Sequence, residues 1–327
     1  MDVVALGELL IDFTPGGLSE NGEPLFERNP GGAPANVLAA LAKLGHQTAF
    51  VGAIGNDAFG AYLQQTLHHA GINVNQLFVT EEAQTTLAFV HLDDSGDRSF
   101  TFYRKPGADQ LLRAEQIDRG MLAAARVFHF GSLSMTHEPS RTATLTAVAY
   151  AKEKGAVISF DPNLRLSLWR DEEHAKQAIL QGMHYAEIVK VSEEELLFLT
   201  GTVDLEQGSQ LLLQQFTNIK LLLVTLGAEG SYCITGHVEG SERLIARHHG
   251  FQVNTIDTTG AGDAFFGGVL HWLLNEDNVA NPQWTAKKLH AMLAFANAMG
   301  ALTATGKGAI PSLPTLQQVE HLLQVNH

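Results

Sequence analysis

The sequence is short of cysteine, of positive charge and of long apolar runs. Cys233 is the only cysteine, which excludes an internal disulfide and any metal site built from several thiolates. Lysine and arginine number 21 against 35 aspartates and glutamates, a net charge of −14, so a polyanion finds no clustered cations and nucleic-acid binding is not expected. No run approaches the ~20 apolar residues that a spanning helix requires. Met1 leads within two residues into Val3-Val4-Ala5-Leu6 without a basic start, so neither a membrane role nor a secretion signal is expected, and the expected compartment is the cytoplasm. Histidine is plentiful, at 15 residues, but scattered and without a His-Glu-x-x-His pattern, so it carries no metal reading.

What the sequence does contain is a polar, glycine-rich turn running into an apolar helical pattern, Asp257-Thr-Thr-Gly-Ala-Gly-Asp263-Ala-Phe-Phe-Gly-Gly-Val-Leu270. Gly260 and Gly262, with Ala261 between them, let backbone N–H groups converge unobstructed by Cβ, and the helix that follows aims the positive end of its dipole at the same spot. That is an anion-binding arrangement. Asp263, in the first turn, sets a carboxylate where an incoming phosphate would sit, which suggests a phosphotransferase with Asp263 as its base.

The rest of the chain alternates strands and helices around this point. At 327 residues, 45% of them hydrophobic, it suits one main α/β domain with an appendage. Residues 3–13 read as one buried strand that ends in Asp12, either a hydroxyl-binding carboxylate at a strand's carboxyl end or a turn-forming aspartate. Residues 14–30 read as loops and short strands. Gly31-Gly32 opens a helix that closes at Gly45 and carries Asn36 on its first turn, with both a donor and an acceptor. A strand at 48–54 and a helix at 60–70 follow. Then 85–92 and 98–104 form a hairpin joined by a turn at 93–97, with Phe102 and Arg104 on one face. Beyond residue 116 the α/β rhythm resumes, with strands near 127–131, 156–160, 187–191, 220–225 and 231–235, and helices near 140–154, 172–184 and 285–303. Ser192-x-x-Glu195 is a capping box, which explains both residues structurally.

Other nucleotide motifs are excluded residue by residue. Phe265 stands where a dinucleotide fold needs its third glycine, and Gly306-Lys307 is followed by Gly308 rather than Ser or Thr, so neither a Rossmann dehydrogenase nor a Walker A site is present. No His-Arg-Asp and Asp-Phe-Gly pair marks a protein kinase.

Gly31-Gly32-Ala-Pro-Ala-Asn36 with its helix, and above all Asp257-Thr-Thr-Gly-Ala-Gly-Asp263, resemble the two signatures of the ribokinase-like (PfkB) carbohydrate kinases. Within that family, Phe100-Thr-Phe-Tyr-Arg104, Asp161-Pro-Asn-Leu-Arg165 and Lys190-Val-Ser192-Glu-Glu-Glu195 look most like bacterial fructokinases. The resemblance covers essentially the whole chain. It implies a three-layer α/β sandwich with a mostly parallel central sheet, in a single domain spanning 1–327, with a small β-sheet lid from segments of about 13–31 and 84–106. It also implies phosphoryl transfer from ATP to a sugar hydroxyl, with Asp263 as base and the Gly260, Ala261 and Gly262 amides around the transferred group. By the same resemblance Asp12, Gly31, Gly32, Asn36, Phe102, Arg104 and Arg165 line the sugar site. Lys190, Ser192, Glu195, Thr225, Gly227, Gly230, Gly262 and Asn297 serve ATP, and Glu195 organises Mg²⁺ through water. Many family members carry Asn where Ser192 stands. A K⁺ site is implied from Asp257, Thr259, Thr303, Gly306, Gly308 and Ser312.

Fructose is the leading acceptor, and 2-keto-3-deoxygluconate, aminoimidazole riboside and ribose are its rivals. A sensor that binds sugar or nucleotide without turnover is the reading of another class, disfavoured by an intact Asp263. Lids of this family often pair, so a homodimer through the lid is a further expectation.

Overall fold

The computed structural model describes residues 1–92, 98–236 and 242–326, apart from the side chains of 92 and 98–100. The expected hairpin turn at 93–97 lies outside the described residues. In chain order the strands are β1 (Val3–Leu6), β2 (Leu10–Leu18), β3 (Pro24–Gly31), β4 (Thr48–Gly55), β5 (Asn73–Thr80), β6 (Leu87–Leu92), β7 (Arg98–Tyr103), β8 (Val127–Gly131), β9 (Val157–Asp161), β10 (Ile188–Ser192), β11 (Leu221–Thr225), β12 (Ser231–Thr235) and β13 (Ile245–His248).

Nine of them form the central sheet in the order β13-β12-β11-β10-β9-β8-β1-β4-β5. From β11 to β5 every pairing is parallel, and β12 and β13 add an antiparallel edge. A parallel sheet covered on both faces needs strands that are apolar on both sides. In β1, Val3 and Ala5 pack into one core with Val37, Phe50, Phe266 and Leu293, while Val4 and Leu6 pack into the other with Phe128, Phe160 and Met183. The two cores are the inner surfaces of the two helical layers. Among the described residues no helix is long and apolar enough to cross a membrane.

The expected single strand over 3–13 is broken in two. A Cβ on Gly7 would lie 2.5 Å from Pro34 Cγ, and one on Gly32 would lie 2.4 Å from the Glu8 carbonyl oxygen. Close backbone approach at these two glycines lets the chain turn out of the sheet after Leu6. Asp12 therefore sits on β2, in a second sheet of order β3-β2-β6-β7, and not at the end of a core strand. This four-stranded sheet is built from the segments expected to form the lid. Segment 14–30 is more regular than its composition suggests, because β2 and β3 pair over nearly their full length as an antiparallel hairpin. Beyond short 3-10 turns, four further elements escaped the sequence pattern: β5, β13 and the helices Arg119–Ala123 and Leu205–Gln215. β1 is flanked by β4 on one side and by β8 on the other, with the chain stepping outward through β4 and β5 before it returns to β8, so the sheet order reverses at β1. Ligands of open α/β sheets gather above the carboxyl ends of strands at such a point.

Candidate active site

The helix Ala261–Leu274 points its N-terminus at this reversal. Its N-cap, Gly260, has φ of 76°, and a Cβ there would fall 2.3 Å from Ala309 Cβ, so both backbone and space require glycine. The Ala261 N–H donates to the Thr258 carbonyl at 3.2 Å. The turn thus consumes the Ala261 amide expected to face phosphate, leaving those of Gly260, Gly262 and Asp263 around the helix end. Gly262 lies under Lys190, since a Cβ on it would stand 3.4 Å from Nζ. Asp263 is buried at the third helical position.

Asn36, from the helix Ala33–Lys43, donates Nδ2–H to Asp263 Oδ2 at 2.8 Å. Its Oδ1 is enclosed without a partner, an acceptor left for a ligand hydroxyl. Behind Asp263, Lys190 Nζ, from the middle of β10, meets Asp161 Oδ2 at 3.0 Å and Oδ1 at 3.2 Å, at the end of β9. Burial pushes the Asp263 carboxyl up to about 6, with the Asp161 charge adding to it and the Asn36 bond, Lys190 and Arg165 opposing. Burial works against the Lys190 charge, yet Asp161, Glu195 and Asp263 outweigh it and raise its pKa. The site therefore holds a fixed cation beside a carboxylate that changes protonation just below neutrality.

These groups open onto a cavity of about 830 Å³ between the central sheet and the four-stranded one. Asp12, Gly32, Asn36, Phe102 and Arg165 line its sugar-expected side, and Lys190, Ser192, Glu195 and Gly262 line it near the helix end. Gly31 stays behind this wall, where a Cβ would collide with Asp12 Oδ2 at 2.1 Å. Burial pushes Asp12 up to about 7; Arg165 opposes this, while Asp263 and Asp257 add to it. Glu195 and Ser192 form the expected capping box, and the other Glu195 oxygen accepts the Leu164 N–H at 2.7 Å. Both carboxylate oxygens thus already serve the backbone. Among the described residues no group of three or more His, Cys, Asp or Glu is placed to hold a metal.

Several expected residues are not brought to this cavity. Arg104 lies past the end of β7, where its guanidinium is buried against Asp109 Oδ2 at 2.6 Å and the Leu133 carbonyl at 3.0 Å. Thr225, Gly227 and Gly230 surround the turn between β11 and β12, and Gly230 abuts the 248–250 backbone. Asn297 donates to the His248 carbonyl at 3.2 Å in the same region. Of the residues expected to hold a cation, Asp257 and Thr259 do line the cavity, and Asp257 knits the group: Oδ1 accepts from Thr259 N at 3.0 Å and Oγ1 at 2.7 Å, and Oδ2 accepts from Gly308 N at 2.9 Å. Gly306 backs onto Ser312, whose hydroxyl donates to the Lys307 carbonyl at 2.8 Å, and Thr303 Oγ1 donates to its own helix.

Glu8 is a site residue that the sequence pattern did not single out. It lines the cavity, is 3% exposed, and accepts the Ala33 N–H at 3.0 Å. Burial pushes it up to about 7. The only available signal was a charged residue directly after Gly7 in an apolar stretch.

Known proteins match this chain from end to end. It is 44% identical to "Probable fructokinase-4" of Arabidopsis thaliana over 326 residues, covering 99% of this chain and 97% of the relative. It is 45% identical to "Fructokinase-1" of Zea mays over 324 residues, covering 98% and 97%. Among solved structures, fructokinase from Xylella fastidiosa with bound ATP superposes with a TM-score of 0.88 at 36% identity, covering 99% of this chain and 98% of that one. A fructokinase double mutant from Vibrio cholerae O395, in fructose, ADP and potassium ion bound form, gives 0.85 at 37%, with 99% and 98% covered. Residues 1–316 match the family described as pfkB family carbohydrate kinase, and the chain belongs to that family, an ATP-dependent sugar kinase of ribokinase-like fold.

Proposed function

We propose that the protein phosphorylates D-fructose to fructose 6-phosphate. The observation that carries this reading is the Asp263 carboxylate, buried at a helix N-terminus and bonded to Asn36 at 2.8 Å, in a chain whose full-length relatives bear the fructokinase name. Fructose lies between lid and sheet, with Asp12, Asn36 and Arg165 on its hydroxyls and Phe102 against its carbons. Asp263 takes the proton of the 6-hydroxyl as that oxygen attacks the γ-phosphorus. The bond from the γ-phosphorus to the β,γ-bridging oxygen of ATP breaks and ADP leaves, and bound Mg²⁺ would screen the phosphate charge.

The donor set fits such a polyanion, since convergent amides, a helix N-terminus and Lys190 all face one spot. Lys190 holds charge there at every working pH because Asp161 and Glu195 keep it protonated. Glu195 would organise Mg²⁺ through water, each of its oxygens already accepting a backbone amide, from Ser192 and Leu164. Thr225, Gly227, Gly230 and Asn297 lie toward the expected adenosine end. K⁺ among Asp257, Thr259, Thr303, Gly306, Gly308 and Ser312 would fix the loop behind the amides. The lid keeps water from the γ-phosphate and so favours the sugar as acceptor.

A homodimer through the lid belongs to the same reading. Leu18, Leu25 and Tyr103 stand 68%, 47% and 64% exposed on it, and light scattering tests this. A cytoplasmic location, where ATP and free hexose meet, completes the reading. An ADP-release assay over fructose, ribose, 2-keto-3-deoxygluconate and aminoimidazole riboside decides the acceptor. Fructose is expected to give the highest kcat/KM, and a higher value for any other acceptor overturns the assignment.

A further inference from the structure

Beside the catalytic cavity lies a second one of about 1150 Å³. Its walls come from the end of β7, the 135–137 turn, the start of the Ser140–Glu153 helix and the Glu172–Met183 helix. In a chain of net charge −14, its lining reverses the sign: Arg104, Lys105, Arg141 and Arg170 stand against Glu173 alone. Two of these cations are matched from outside the wall, Arg104 by Asp109 at 2.6 Å and Arg170 by Asp171 at 3.2 Å. The other two are not. Lys105 is exposed with no carboxylate partner among the described residues, and Arg141 donates only to the neutral Gln181 Oε1, at 2.8 Å.

The surroundings of those two charges suit a particular chemistry. Thr136, Ser167 and Gln177 bring hydroxyl and amide groups to the wall, and Trp169 brings an indole ring whose enclosed N–H donates to no acceptor. A guanidinium and an ammonium bind phosphate oxygens. Hydroxyls and amides bind ring hydroxyls, and an aromatic body with a polar tip packs the remainder of a sugar.

We propose that this second cavity binds a hexose phosphate, separately from the sugar that is phosphorylated. Phe102 and Ser167 line both cavities. A ligand in one therefore bears on a wall of the other, and by linkage each changes the affinity of the other by the same factor.

The test uses the full chain, glucose 6-phosphate as probe, and a Lys105→Ala/Arg141→Ala variant. Both residues are exposed and lie outside the catalytic cavity, so folding and kcat are expected to hold. Binding is read by calorimetry and by the fluorescence of Trp169, assigned with Trp169→Phe. The expected result is one saturable site per chain, weakened at least about tenfold in the double variant, since two charge-assisted contacts are lost. Equal affinity in the double variant overturns the site, as does the absence of saturable binding at millimolar probe. Titrations with and without saturating fructose read the linkage: a finite shift in the probe's affinity is expected. No shift overturns the linkage, and complete mutual exclusion assigns the probe to the catalytic cavity and overturns the site. The fructose arm rests on fructose being the acceptor, whereas the binding arm does not, so the two failures are distinguishable.

Discussion

Asn36 and Asp263 are 227 residues apart in the chain, yet Asn36 Nδ2 donates to Asp263 Oδ2 at 2.8 Å inside the protein. The bond joins the first turns of two helices, and it does two things at once. It orients the carboxylate, and it partly offsets the burial that raises its pKa. The remaining Asn36 oxygen has no partner, so one side chain connects the Asp263 carboxylate to whatever occupies the cavity.

If Asp263 is the base, Asp263→Asn keeps the shape and the Asn36 neighbour but removes the proton acceptor. Turnover is expected to fall by roughly 10²–10⁴-fold, the usual size of a general-base contribution. The dissociation constant for fructose, measured by calorimetry, is expected to change little, because the lost interaction belongs to the transition state. A variant with near-normal kcat removes Asp263 from the role.

Asn36→Ala takes away a bond that lowers the Asp263 pKa. In the wild type, activity is expected to rise with pH through about 6, as Asp263 loses its proton and becomes competent. Without the Asn36 bond the carboxyl rises further, so the acid limb of the kcat profile moves to higher pH and part of the activity returns on the alkaline side. An acid limb at the wild-type position shows that Asn36 acts on the sugar alone.

Lys190 and Asp161 form a buried pair at 3.0 Å, with side chains 9% and 2% exposed. Removing one member leaves the other charge without compensation, a change that typically costs about 3–5 kcal/mol. Lys190→Met is therefore expected to lower the thermal midpoint sharply, and Lys190→Met/Asp161→Leu to recover most of the loss while remaining inactive. Equal destabilisation of the single and double variants shows that packing rather than charge dominates there.

Much of this arrangement was legible in the sequence because it is local. The Gly260–Asp263 turn, the Ser192–Glu195 capping box and the helices at 33–43, 261–274 and 286–303 are set by neighbouring residues: glycine for a left-handed cap, reciprocal side-chain bonds and 3.6-residue periodicity. What escaped depends on distant partners. The break after Leu6 needs Pro34 and Gly32 against Gly7 and Glu8. The family resemblance implied a sugar-site role for Arg104, and its alternation with Phe102 fitted that, but Asp109 and Leu133, supplied from other segments, enclose its guanidinium. The short edge strand β13 owes its place to pairing with β12 more than to its own composition.

Asp257 ties the turn before the helix Ala261–Leu274 to Gly308 through Oδ2 at 2.9 Å. Asp257→Asn retains an acceptor but loses the negative charge, so it separates loop geometry from cation binding. With K⁺ in this loop, the wild type is expected to be faster in K⁺ than in choline buffer, and the variant slower and insensitive to the change of cation. The same K⁺ activation in both proteins removes Asp257 from the cation site.

Asp12 gives a prediction about stability whose sign runs against ordinary acid denaturation. Its folded pKa is raised to about 7, chiefly by burial, from the ordinary aspartate value near 3.9. The folded protein therefore keeps a proton that the unfolded chain has released between those values, and stability falls as pH rises across that window. Asp12→Asn removes this ionisation. The ligand-free variant is expected to match the wild type near pH 4 and to exceed it above pH 7. A gap of about three between the folded and unfolded pKa corresponds to about 4 kcal/mol, and the partial exposure of Asp12 reduces this to about 1–2 kcal/mol. Denaturant unfolding at both pH values measures the difference. The same variant is expected to bind fructose more weakly, so a carboxylate that costs the empty protein stability is retained for the sugar hydroxyls; a variant no more stable than the wild type above pH 7 sinks that account of Asp12.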